Sequence, residues 1–151
     1  MIKYSSTVTI ARPPRDVYAA LLDTNRYGEW TEMVDMRLDT PGEPRVGSRG
    51  SFRLAKGPIK GQLTYEITEL VPERSVTFRI EHPTLAWMAY SRLEPSADGT
   101  RLDYSGEIRM RGWRRLLEPL LAAEARAGEG KEAQRLKELL ESEPPTAAAT
   151  T

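Results

Sequence analysis

Few side chains in this 151-residue sequence stand in a pattern that would let them act as a catalytic acid, base or nucleophile. His82, in TFRIEHPTL, is the single histidine, and imidazole is the usual proton carrier near neutral pH. By strand parity it continues the face of Val76, Phe78 and Ile80. It comes just before Pro83, so its expected place is the rim of whatever that face encloses. Tyr65 and Tyr104 sit among apolar residues at period two. A buried phenol needs a hydrogen-bond partner: a ligand carbonyl whose enolate it would stabilise, or simply a backbone group in a filled core. No cysteine is present, which removes thiolate nucleophiles, disulfides and cysteine zinc sites together. One histidine also rules out a multi-histidine metal centre, and no compact Asp/Glu calcium loop occurs. No serine stands in a nucleophile elbow, and GEG and GPIKG read as turns rather than phosphate cradles. The expectation is therefore no catalytic residue, no metal and no cofactor, with His82, Tyr65 and Tyr104 as polar orienters.

Strands must position these groups. KYSSTVTI alternates through Tyr4, Ser6, Val8 and Ile10, and the two prolines of ARPPRD end it. Pro14 opens a short helix with Val17, Ala20 and Leu21 on one stripe, and a second short turn ends at Trp30. Six strands follow. MVDMRL is expected to put Val34, Met36 and Leu38 on one face; RGSFRL turns Phe52 and Leu54 inward. KGPIKG reads as a tight reversal. QLTYEITEL points Leu63, Tyr65 and Ile67 inward. AWMAYSRLE offers Trp87, Ala89, Ser91 and Leu93, or else Met88, Tyr90 and Arg92. After an Asp-Gly hairpin signal, RLDYSGEIRM turns in Leu102, Tyr104, Ile108 and Met110. Arg53, Arg79, Arg92, Arg101 and Arg109 alternate with these and read as a solvated outer face.

An antiparallel sheet with one apolar face needs a cover. The last segment carries Trp113, Leu116, Leu117, Leu120, Leu121, Leu136, Leu139 and Leu140 at helical spacing, which predicts a helix packed on the sheet. Pro119 and residues 127–130 are expected to kink or loosen it. Glu124 reads as a solvated helix position. A membrane-surface role for WRRLLEPLL is weighed and set below packing on the sheet. One domain over 1–142 and a disordered tail over 143–151 are expected.

ARPPRDVYAALLDTNRYGEW, GSRGSFRL and YSRLEPSADGTRLDYSGEI together resemble the SRPBCC, or START-like, superfamily, whose polyketide cyclase/dehydrase-like members have this order of elements. The resemblance runs over residues 8–140. It implies an α+β helix-grip fold: a curved antiparallel sheet of about seven strands around a long C-terminal helix, with two short helices after the first strand. It also favours Leu93, and so Trp87, on the inner face.

It implies a cavity for a hydrophobic small molecule such as a lipid, polyketide or isoprenoid. Walls would come from Phe52, Leu54, Leu63, Phe78, Trp87, Met110, Leu117, Leu120 and Leu121. The rivals are a cyclase- or dehydratase-like enzyme in the same pocket, and an interaction module with a filled core, acting through its outer face or as a homodimer. Lys plus Arg and Asp plus Glu both number 22, so nothing points to nucleic acid. No apolar run reaches the ~20 residues that span a bilayer, so a cytoplasmic protein without stable membrane insertion is expected.

Overall fold

A computed structural model describes residues 1–144. In chain order the elements are β1 (Ile2–Ile10), α1 (Pro14–Leu22), a 3-10 turn (Thr24–Glu29), β2 (Met33–Leu38), β3 (Arg49–Leu54) and β4 (Leu63–Val71). Then come β5 (Ser75–His82), β6 (Leu85–Ser96), β7 (Gly99–Met110), a second 3-10 turn (Gly112–Leu117) and α2 (Glu118–Ser142). The strands form one antiparallel sheet in the order β1-β7-β6-β5-β4-β3-β2. This is the expected α+β helix-grip architecture.

Alternation sets the faces. Leu63, Tyr65 and Ile67, then Val76, Phe78 and Ile80, then Trp87, Ala89, Ser91 and Leu93 are all buried. The second option for β6 is thereby excluded, and Tyr90 points to the outer side. On that outer side Arg49, Glu66 and Arg79 stand in register across β3, β4 and β5, with Glu66 accepting from Arg49 at 3.0 Å and Arg79 at 3.2 Å. Two glycines leave room for aromatic rings on the inner face. A Cβ on Gly106 would lie 2.1 Å from the Tyr4 hydroxyl, and one on Gly50 would lie 2.4 Å from that of Tyr65.

The helix α2 runs along the free edge of β1. Arg126 and Lys137 donate to the carbonyls of Lys3 and Thr9 at 3.2 and 2.7 Å, and Glu141 accepts from the Ala11 amide at 2.8 Å. Side chains of the helix thus satisfy backbone groups that an edge strand would leave open. On its other side α2 meets the approach to β2, where Arg135 pairs with Glu32 at 3.5 Å. The sheet curls so that both of its edges reach one helix. Arg12 closes the far end by donating to the carbonyls of Glu141 and Glu143 at the helix C-terminus.

Four expectations need correction. In β2, Asp35 has φ 53° and the register shifts between Val34 and Arg37, so a bulge inserts a residue. Met33 and Met36 face the core in place of the Val34, Met36 and Leu38 set. Pro119 does not kink α2: it lies in the first turn, where proline's missing N–H costs nothing, and the helix continues through 127–130. KGPIKG is no tight reversal but part of an eight-residue connection, 55–62, whose Ile59 packs on the core. Finally Trp113, Leu116, Leu117 and Leu120 are exposed rather than packed on the sheet. The tail is tied at its start, since Glu143 pairs with Arg26; residues 145–151 lie outside the described residues.

Candidate functional site

The concave face carries a closed circuit of eight aromatic side chains. Trp87 meets Phe52 edge-on at 6.4 Å between ring centres, and Phe52 meets Tyr65 at 6.3 Å. Tyr65 meets Phe78 at 5.4 Å, Phe78 meets Tyr27 at 6.3 Å, and Tyr27 meets Trp30 at 5.0 Å. Trp30 meets Tyr104 at 5.8 Å and Tyr104 meets Tyr4 at 6.5 Å. The Trp87 indole N–H then donates to the Tyr4 hydroxyl at 2.7 Å and closes the loop. Four of these pairs meet edge to face, a favoured arrangement of aromatic rings, and the other three are tilted. Within the circuit the sheet carries small side chains: Ala89 pairs with Phe78 on one side and Gly106 on the other, and Ser91 follows on the same face.

One carboxylate joins this apolar surface. Glu132, on α2, is the only charged side chain in the buried class among the described residues. Its carboxylate accepts from the Tyr104 hydroxyl at 3.1 Å and from the Glu32 amide at 3.5 Å. A charge is tolerated in such surroundings when donors surround it. The indole N–H of Trp30 is buried without a hydrogen-bond partner.

The three polar residues singled out in the sequence have different fates. Tyr104 faces Glu132. Tyr65 donates to the Arg37 carbonyl at 3.0 Å, and burial, aided by Asp39, pushes its phenol up to about 12. Burial also raises the Tyr27 phenol well above its ordinary range, with smaller contributions from Tyr65 and Glu132, and its hydroxyl donates to the Leu21 carbonyl at 2.5 Å. His82 lies at the end of β5, half-buried. Its Nδ1 accepts from the Thr84 amide at 3.1 Å and lies 2.7 Å from the Thr84 hydroxyl. Its Nε2 lies 2.7 Å from the Lys60 carbonyl, so the ring is held as the tautomer with the proton on Nε2. His82 thus ties the 55–62 connection to the β5–β6 turn.

Of the expected apolar walls, Phe52, Phe78 and Trp87 belong to the aromatic circuit, and Leu63 and Met110 are buried beside it. Leu54 and Leu121 are partly buried against the core. Leu117 and Leu120 lie outside it. Tyr4, Tyr27, Trp30 and Glu132 were not expected as members. For Glu132 a signal existed: the stripe of Leu136 and Leu140, carried back one turn, lands on it. Two surface clefts, of about 410 and 460 Å³, lie on the outer side of the sheet, around Tyr90 and Glu66 respectively. No cluster of three or more His, Asp or Glu able to hold a metal occurs among the described residues.

Solved structures share the fold. A protein from Thermus thermophilus superposes with TM-score 0.72 at 14% identity, covering 94% of this chain and 99% of that one. A polyketide-cyclase-like protein from Corynebacterium glutamicum, solved by NMR, gives 0.65 at 22% identity, over 92% and 91%. DynU16, encoded in the dynemicin biosynthetic locus, gives 0.66 at 18% identity, over 96% of this chain and 49% of that one. At these identities the likeness establishes the fold alone. No curated protein matches the chain. The family model described as polyketide cyclase / dehydrase and lipid transport matches residues 1–141, and the chain belongs to that family.

Proposed function

We propose that the protein binds a hydrophobic small molecule, a lipid, polyketide or isoprenoid, on the aromatic concave face beneath α2. The observation that carries this reading is the aromatic circuit floored by Ala89 and Ser91, with one polar edge made by Tyr104, Glu132 and the unpartnered Trp30 N–H. Affinity comes from apolar area at ~25 cal/mol per Å², and the polar edge orients the guest. The guest enters where the 55–62 connection, the His82–Thr84 turn and the start of α2 meet. There Leu54 and Leu121, packed against the core, supply apolar contacts, and His82 holds the rim in shape.

Native mass spectrometry of freshly purified protein tests this. An apolar molecule should co-purify, and Ala89→Trp, which fills the floor, should release it while the fold persists by circular dichroism. A ligand at a hundred times its Kd adds about 2.7 kcal/mol, or roughly 5–10 °C in Tm for a chain of this size. The absence of any adduct, together with no thermal shift across lipids and polycyclic aromatics, sinks the reading.

One observation favours a second reading, a cyclase- or dehydratase-like enzyme. The Glu132 carboxylate and the Tyr104 hydroxyl are in contact at the concave face, a pair able to pass a proton to or from a bound ketone. In that case Glu132→Gln keeps binding of the co-purified molecule and abolishes its conversion.

A further inference from the structure

Four large apolar residues stand exposed within eight positions at one end of the molecule: Trp113 is 65% exposed, Leu116 83%, Leu117 36% and Leu120 74%. Val46, in the connection before β3, and Val71, at the end of β4, are also exposed but sit singly. Isolated exposed apolar side chains need no explanation, whereas a contiguous group does. The cause is geometric. Twenty-three residues of helix rise ~35 Å and ten of strand ~33 Å. Glu118 beside Met1 and Glu141 beside Ala11 therefore bring α2 and β1 into step over their whole length. The turn Gly112–Leu117 comes before that match begins and overhangs the end of the sheet.

The chain carries 22 basic and 22 acidic residues, yet this end is basic. Arg109, Arg111, Arg114 and Arg115 fall within seven positions. Lys56 and Lys60 join them: the 55–62 connection is tied through His82 to the Thr84 turn, whose carbonyl accepts from the Arg111 amide at 2.8 Å. Glu81 cancels Arg111, whereas Arg109, Arg114, Arg115, Lys56 and Lys60 make no salt bridge among the described residues. Glu118 accepts from the Met110 amide at 2.9 Å and pairs with the Met1 amine, and Glu81 takes Arg111 at 2.7 Å. Glu124 lies nearly two turns further along α2. The Arg114 guanidinium stacks on Trp113 at 4.9 Å, so cation and indole point out together.

We infer that this end docks reversibly on anionic lipid surfaces, with Trp113, Leu116 and Leu120 dipping into the interface and the arginines meeting the headgroups. A second copy of the chain is the weaker occupant, because it would bring the same arginines against these. An anionic bilayer instead supplies negative charge to the arginines and apolar depth to Trp113 and the leucines. No helix among the described residues is long and apolar enough to cross a membrane, so the association is peripheral. The inference is independent of whether the grip holds a guest.

Vesicle flotation coupled to tryptophan fluorescence tests it. Trp30 and Trp87 are 1% and 7% exposed, so an emission shift on binding reports Trp113. Phosphatidylcholine vesicles carrying about a quarter phosphatidylglycerol should float the protein and shift its emission to the blue; phosphatidylcholine alone should do neither. Removing both charges with Arg114→Gln and Arg115→Gln should weaken partitioning roughly 30-fold, and about 0.5 M salt should do likewise. Leu116→Ser with Leu120→Ser should abolish the shift. Arg115, Leu116 and Leu120 are exposed and Arg114 is half-buried, so both double variants should keep the parent Tm. Failure to float with anionic vesicles overturns the inference, as does flotation indifferent to both double variants. A blue shift that grows with protein concentration without lipid, alongside dimer in sedimentation, also overturns it and names the second copy as occupant.

Discussion

His82 works through both edges of its ring, holding Lys60 on one side and Thr84 on the other. That is a clip between loops, and its chemistry is used up in shape. His82→Ala should lower stability by about 1–2 kcal/mol, the worth of one to two hydrogen bonds, read in urea unfolding. Limited proteolysis should show the 55–62 connection cut sooner. A variant as stable and as protease-resistant as the parent would remove the clip from the account. Its place at the end of β5, on the parity of Val76, Phe78 and Ile80, was legible in the sequence. Its partners were not, because Lys60 is 22 residues away and reaches His82 only once β4 and β5 are paired. Glu132 makes the same point: helical spacing places it on the buried stripe, but spacing does not say which hydroxyl waits there.

At the level of elements, two backbone positions carry a steric cost that sequence patterns leave unseen. Among the described residues, Asp35 and Glu73 are the non-glycine residues with positive φ, at 53° and 62°. Glu73 follows Pro72 in the turn between β4 and β5, closed by the Arg74 amide on the Val71 carbonyl at 2.9 Å. A left-handed L-residue costs ~1–2 kcal/mol, of which glycine's added chain entropy returns a part. Glu73→Gly is therefore expected to raise stability by up to ~1 kcal/mol, measured by chemical denaturation; a loss of stability would mean the Glu73 side chain contributes more than its backbone costs. The bulge at Asp35 is also why the face of β2 was misread: an inserted residue reverses parity, and nothing in MVDMRL marks the insertion.

For the whole molecule, the aromatic interior sets an alkaline limit. Tyr65 titrates near 12 in the fold against an ordinary value near 10, and Tyr27 is shifted further in the same direction, both chiefly by burial. The folded state then holds these protons more tightly than the unfolded chain. Their contribution is complete below pH ~10 and is lost as pH climbs toward and past the folded values. Stability should hold level up to about pH 10 and fall steeply above it. Absorbance of tyrosinate should appear in two stages, the second coincident with loss of near-ultraviolet circular dichroism. A single stage uncoupled from unfolding would contradict the burial of these phenols.

The sequence by itself determined most of the sheet's inner face, because period-two alternation in β4, β5 and β7 leaves one register that hides Leu63, Phe78 and Tyr104; in β6 alternation left two faces open, and the family resemblance favoured the one with Trp87. It also determined that a helix must follow, since that face needs a cover. Tertiary structure alone decided how the helix meets the sheet. The stripe of apolar residues in 113–121 and that in 136–140 look equivalent as spacing, yet in the first only Leu121 packs against the core, whereas Leu136 and Leu140 are buried. Which stretch of a helix finds a partner depends on where the strand beside it begins, and that distance is set in space, not along the chain.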